Sequence, residues 1–142
     1  MADNPYPLPG KLGATLQRVA DYWDDLKRGG NKMPFWDDVK PSMLKDVADR
    51  LMMIDVYGGP ERFRIRTVGA DIGESAALVG KFLDEGALPG RLDYLLSQCS
   101  ATVEARAPTW YKQTGAPPYA RLVRPMWGDG RISMLLGAVE LG

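Results

Sequence analysis

The chain has 142 residues, 45% of them hydrophobic and 25% charged, with a formal net charge of zero and no histidine. That is the length of one domain, and a neutral chain has no global pull toward phosphate, which sets aside a nucleic-acid binder. The missing histidine removes Ser-His-Asp and Cys-His catalysis, histidine-ligated zinc and histidine-ligated haem together.

Residues 1–10 carry Pro5, Pro7 and Pro9 and are predicted to form an extended lead-in, because every second residue lacks a backbone donor. This segment lacks the charged-then-apolar order of a secretory signal, and no apolar run reaches bilayer length. The lone Cys99 cannot close an internal disulfide, so a cytoplasmic protein without membrane insertion is expected. A single domain then spans 11–142. Leu12, Leu16, Val19, Trp23 and Leu26 recur at steps of four and three, predicting a helix over 11–28 that Gly29 and Gly30 end. After a connector at 34–40, Pro41 opens a short helix to about residue 50 with Met43, Leu44 and Val47 on its buried side.

The core of the domain is expected over 51–142. LMMIDVY (51–57) and RFRIRTV (62–68) read as strands around a turn at 58–61. Short helical turns follow over 69–79, then a loop at 80–85. Pro89 is placed at the first position of a long helix to Arg106, with the stripe Leu92, Leu95, Leu96, Cys99, Thr102 and Val103, and Pro108 stops it. Strands at 109–113, 120–127 and 131–141 complete the chain, the last two joined by Gly128, Asp129 and Gly130, a strong hairpin signal.

A four-residue loop at 58–61 pairs Tyr57 with Arg62, Val56 with Phe63, Asp55 with Arg64, Ile54 with Ile65 and Met53 with Arg66. One face then carries Ile54, Val56, Phe63 and Ile65. The other carries Asp55 and Arg64 as a cross-strand ion pair worth roughly 0.2–1 kcal/mol. In the last strand Ile132, Met134, Leu136 and Ala138 form one face and Leu135 and Val139 the other. A strand apolar on both sides is expected at the centre of the sheet, with the first helix as its second cover.

Two strands, short helices, a long helix and three strands is the element order of a PAS domain. The chain resembles a family of bacterial stand-alone PAS-like proteins at Tyr22 and Trp23, 29–34 (GGNKMP), 51–56 (LMMIDV), 63–69 (FRIRTVG), 80–85 (GKFLDE), 121–126 (RLVRPM) and 129–138 (DGRISMLLGA). The resemblance implies an α+β fold, a five-stranded antiparallel sheet with helices on one face plus an added N-terminal helix. It also implies a signalling role without catalytic residues. Pro125 lies inside a predicted strand, where it cannot donate to the ladder, so a bulge is expected there.

Several residues are candidates for function. Ile54, Val56, Phe63, Ile65, Met134 and Leu136 are the candidate lining of a small-molecule pocket, although a sheet face needs no ligand to be apolar. The stripe Leu12, Leu16, Val19, Trp23 and Leu26 either covers its own sheet or joins a second copy. PAS-type chains often use an N-terminal helix in the second way, so a homodimer is the expectation adopted. Asp37 with Asp38, and Asp84 with Glu85, read as solvated loop acids rather than a metal or acid–base site. Cys99, between Gln98 and Ser100, does not match the reactive cysteine of flavin-binding PAS domains. No haem or flavin is therefore expected. Gly69, Gly73 and Gly80 do not have phosphate-loop spacing. Trp23, Trp36, Trp110 and Trp127 read as core and interface residues.

The expected function is a non-catalytic sensor or regulatory module that meets another signalling protein and responds to a small molecule. The alternatives are a small-ligand carrier, or an isomerase-like enzyme on a cone-shaped scaffold. The enzyme would need a carboxylate such as Asp71 or Asp84 in a deep apolar cavity.

Overall fold

A computed structural model describes residues 6–86, 88, 90–115 and 118–141. The lead-in residues 1–5, Pro89 and Gly142 lie outside the described residues. Five strands, β1 (Leu51–Tyr57), β2 (Arg62–Val68), β3 (Thr109–Gln113), β4 (Tyr119–Gly128) and β5 (Arg131–Leu141), form one antiparallel sheet in the order β2-β1-β5-β4-β3. Its helices are α1 (Ala14–Asp25), α2 (Ser75–Leu78) and α3 (Leu95–Ala105). Three 3₁₀ helices join them: η1 (Trp36–Asp38), η2 (Pro41–Arg50) and η3 (Gly90–Leu92). The fold is α+β.

Both hairpins form where turn chemistry demands them. Asp129 and Gly130 adopt φ values of 53° and 77°, the paired left-handed conformation of a two-residue hairpin, and Gly128 pairs with Arg131. The first hairpin has the expected register from Tyr57–Arg62 to Ile54–Ile65. It then slips: Met53 pairs with Thr67, not Arg66, because Arg66 is the extra residue of a bulge. The slip keeps Arg66 beside Asp55, whose carboxylate accepts from both Arg64 (3.2 Å) and Arg66 (2.9 Å). The free edge of β2 is covered by 80–83, through Ile65 N–H to the Lys81 carbonyl, Gly80 N–H to the Ile65 carbonyl and Leu83 N–H to the Phe63 carbonyl.

Pro125 pairs with Leu135 without a slip; the bulge lies next to it, between Met126 and Trp127. Proline is tolerated because β3 pairs with β4 only as far as Val123, so Pro125 stands past the end of its neighbour.

Helical segments are shorter or tighter than predicted. The α1 helix ends at Asp25 rather than 28, and its N-terminus is capped from another element. Thr15 and Leu16 N–H groups donate to Glu140 Oε1 at 2.7 and 3.3 Å. Gly13 is needed there, since a Cβ would lie 1.5 Å from Glu140 Oε2. Over 69–79 only α2 is α-helical. Segment 41–50 is a 3₁₀ helix broken by non-helical angles at Leu44, so Leu44 is buried while Met43, expected inside, is 61% exposed. The long helix predicted to 106 is interrupted at Tyr94 (φ 60°), which leaves η3 and α3 as separate pieces. Leu96 of the predicted stripe is consequently exposed, and Gln98 is buried instead.

Strand pairing fixes the two faces. Ile54 pairs with Leu135, and Asp55 with Met134, so Ile54, Val56, Phe63, Ile65 and Leu135 share an inner face under α3. Met134, Leu136 and Ala138 lie on the outer face under α1 and η2. The helical elements therefore cover both faces, and β5 is central as expected.

Candidate functional site

The six predicted pocket residues do not share a pocket. Ile54, Val56, Phe63 and Ile65 are packed on the inner face, whereas Met134 and Leu136 are on the outer one. Alternation along β5 separates Met134, Leu136 and Ala138 from Leu135 and Val139 as expected, but the bulge at Ser133 turns Ile132, expected with Met134, to the inner side beside Val56 and Val103. Which set joins Ile54 depends on the pairing of β5 with β1, a long-range contact.

Beneath α3 the inner face carries a buried polar network that the sequence reading did not single out. Arg121 of β4 is fully buried. Its Nε donates to Gln98 Oε1 (2.7 Å), Nη1 to the Arg91 carbonyl (3.1 Å) and Nη2 to the Asp93 carbonyl (2.7 Å). Gln98 Nε2 in turn donates to Thr109 Oγ1 (3.1 Å) and the Arg121 carbonyl (3.3 Å), and the Thr102 and Thr109 hydroxyls are 2.6 Å apart. The guanidinium lies 5.1 Å from the Tyr111 ring and 5.9 Å from the Tyr119 ring. Burial pulls the Arg121 pKa below the usual arginine value. Arg121 thus ties both sides of the Tyr94 break to β4, a structural task that uses its polar atoms on main-chain carbonyls.

On the outer face, Leu16, Val19 and Trp23 of α1 are buried and Leu12 and Leu26 half-buried against the core of their own chain. Trp23 Nε1 donates to the Pro125 carbonyl (3.0 Å), and Arg124 stacks on the Trp23 ring at 4.7 Å while pairing with Asp24. The stripe expected to join a second copy is therefore spent on the sheet. The reason is visible in β5, whose outer apolar face requires a cover.

The η2 helix covers the rest of this face less closely. Between it and the β1–β2 hairpin lies a cleft of about 180 Å³. Val39, Leu44, Leu51, Met53, Val68 and Leu136 give it an almost wholly apolar lining, with Thr67 at its rim. The cleft has the dimensions of a small aromatic molecule.

The remaining singled-out residues hold structural positions. Cys99 is buried, and burial pushes its thiol from the ordinary 9.0 up to about 12. Asp38 pairs with Arg28, and Asp84 with Arg62, whose guanidinium holds its carboxyl below the usual carboxylate range. Asp71 is at the surface in a pair with Arg50. Gly69 is packed so closely that a Cβ would lie 2.3 Å from the Asp49 main chain. Trp36 touches Gly128, and Trp110 packs half-buried against the core. Among the described residues no group of three or more carboxylates or thiols is placed to hold a metal ion, and no helix is long and apolar enough to cross a membrane. No family model matches this chain, and no curated protein matches it significantly.

Proposed function

We propose that the chain is a cytoplasmic, non-catalytic PAS-type regulatory module that takes a small apolar ligand under η2 and reports its state to another signalling protein by contact. The five-stranded antiparallel sheet, its order β2-β1-β5-β4-β3 and the short helices before α3 support the PAS-type reading.

The observation that carries the ligand is the position of the cleft. Its cover is a ten-residue 3₁₀ helix with a break at Leu44, and such helices hold poorly beyond three or four residues. A ligand entering the cleft displaces this cover more readily than the sheet beneath. Arg18 of α1 grips η2 through the Met43 carbonyl (2.8 Å) and Asp46, so a shift of η2 reaches a surface that also presents the exposed Met43. An isomerase-like enzyme would need a desolvated carboxylate, whereas Asp71 and Asp84 sit in surface ion pairs. A simple carrier would use the same cleft without a partner.

The test uses indole as the probe. Titration into isotope-labelled protein is expected to move amide resonances along η2 and raise the melting temperature. Ala48→Phe, placed at the mouth of the cleft, is expected to abolish both effects. If saturating indole leaves the η2 resonances in place, the ligand reading fails. Retention of native-extract proteins by the immobilised chain, with and without indole, then separates a regulator from a carrier.

A further inference from the structure

A second cleft lies where the loop after α1 meets the end of α3. Arg28 braces the loop by a two-point ion pair with Asp38 (2.6 and 2.8 Å) and by lying 5.5 Å from the Phe35 ring. The Trp127 N–H donates to the Pro34 carbonyl at 2.9 Å, which seats the loop along the end of β4. On the other side α3 is closed by Arg106 in the left-handed conformation (φ 54°), its N–H bonded to the Thr102 carbonyl. Glycine adopts that conformation at least cost, so an arginine there keeps its side chain against the local backbone preference.

The cleft holds about 370 Å³ and is lined by Asn31, Lys32, Met33, Phe35, Arg106 and Trp127. That volume falls in the range of small-molecule sites, roughly 300–1,000 Å³. Two of its walls are aromatic, and its charged groups are both cations. Arg106 lies over the Trp127 indole at 5.6 Å, which positions the guanidinium and leaves its edge available for a planar anion. Neither Lys32 nor Arg106 is in an ion pair among the described residues, and no carboxylate lines the cleft beside them. The lining of this cleft therefore carries positive charge without an acid.

We infer that this cleft binds an aromatic carboxylate, with its ring against Trp127 and Phe35 and its carboxylate on the Arg106 fork, supported by Lys32. A bidentate guanidinium–carboxylate contact supplies orientation, and the aromatic walls supply area. The cleft shares no lining residue with the one under η2, so the two readings stand or fall separately.

The probe is 2-naphthoate, titrated against the full chain while the four tryptophan indole N–H resonances are followed. Binding is expected to move the Trp127 indole and the Arg106 amide. 2-Naphthylmethanol, a ring without charge, and inorganic phosphate, charge without a ring, are each expected to bind at least about tenfold more weakly. Arg106→Gly is the informative variant. Glycine accepts the left-handed cap, so the melting temperature should hold or rise while naphthoate affinity drops about tenfold or more. Lys32→Gln should weaken binding about threefold. The inference is overturned if Arg106→Gly binds naphthoate as well as the parent, if the neutral alcohol or phosphate matches naphthoate, or if the shifts fall on η2.

Discussion

The β5 strand feeds both faces of the sheet, and the two faces are closed in different ways. Leu135 and Val139 point inward under α3, where Arg121, Gln98, Thr102 and Thr109 form a connected set of hydrogen bonds. Met134 and Leu136 point outward, where closure is apolar under α1 and slack under η2. Directional bonds that fail together fix the inner cover. Apolar contact that tolerates repacking holds the outer one, and the cleft under η2 lies on that side. The two covers of one sheet thus differ in how they resist displacement.

The sharpest way to break this comparison is Arg121→Met. The Gln98 oxygen and the Arg91 and Asp93 carbonyls would lose their donors beneath α3, at a cost of about 3–5 kcal/mol in denaturant unfolding. A loss below about 1 kcal/mol would show that the inner face does not depend on its polar network. On the outer face Leu16→Ala should cost about 2–4 kcal/mol. Leu16→Asp should unfold or aggregate the protein; a folded monomer with normal circular dichroism would instead mean that α1 serves another copy. Glu140→Ala removes the acceptor for the Thr15 and Leu16 N–H groups and should cost about 1 kcal/mol, read in the same unfolding curves. Glu140→Gln keeps an oxygen acceptor and should cost less. Smallest of all is Arg64→Glu, under about 1 kcal/mol because the pair is partly exposed and Arg66 also serves Asp55. Adding Asp55→Lys should recover part of that loss.

The first hairpin was readable in the sequence because RFRIRTV alternates strictly and GGPE supplies the turn, so both strands have their predicted bounds. The Asp129–Gly130 turn was equally explicit. The Arg66 bulge was not, since a single extra residue leaves the alternation of its neighbours intact. The break at Tyr94 was also hidden: its anchor is Arg121, 27 positions away in the chain, and local propensity carries no trace of it. Arg121 itself lies in RLVRPM, where nothing local marks either arginine as buried. Its burial comes from the β3–β4–β5 pairing and the carbonyls that η3 turns toward it. The aromatic and basic residues of the α3-end cleft are spread over 31–127, so only the fold brings them together.

Cys99, buried beneath the inner cover, gives this protein a built-in timer. Only a thiolate attacks a disulfide reagent, and burial keeps this thiol protonated in the closed form until pH approaches 12. Reaction therefore waits for α3 to lift. With an excess of reagent at constant pH, the ratio of the observed labelling rate to that of the unfolded chain reports how often α3 opens. The folded thiol titrates above the ordinary 9.0, so its contribution to stability is fully present below pH 9 and drains away as pH rises toward 12. Labelling should therefore accelerate above pH 9 by more than thiol ionisation alone accounts for. Ligands bound on the outer face should leave the timer almost untouched, while Arg121→Met should make it run fast.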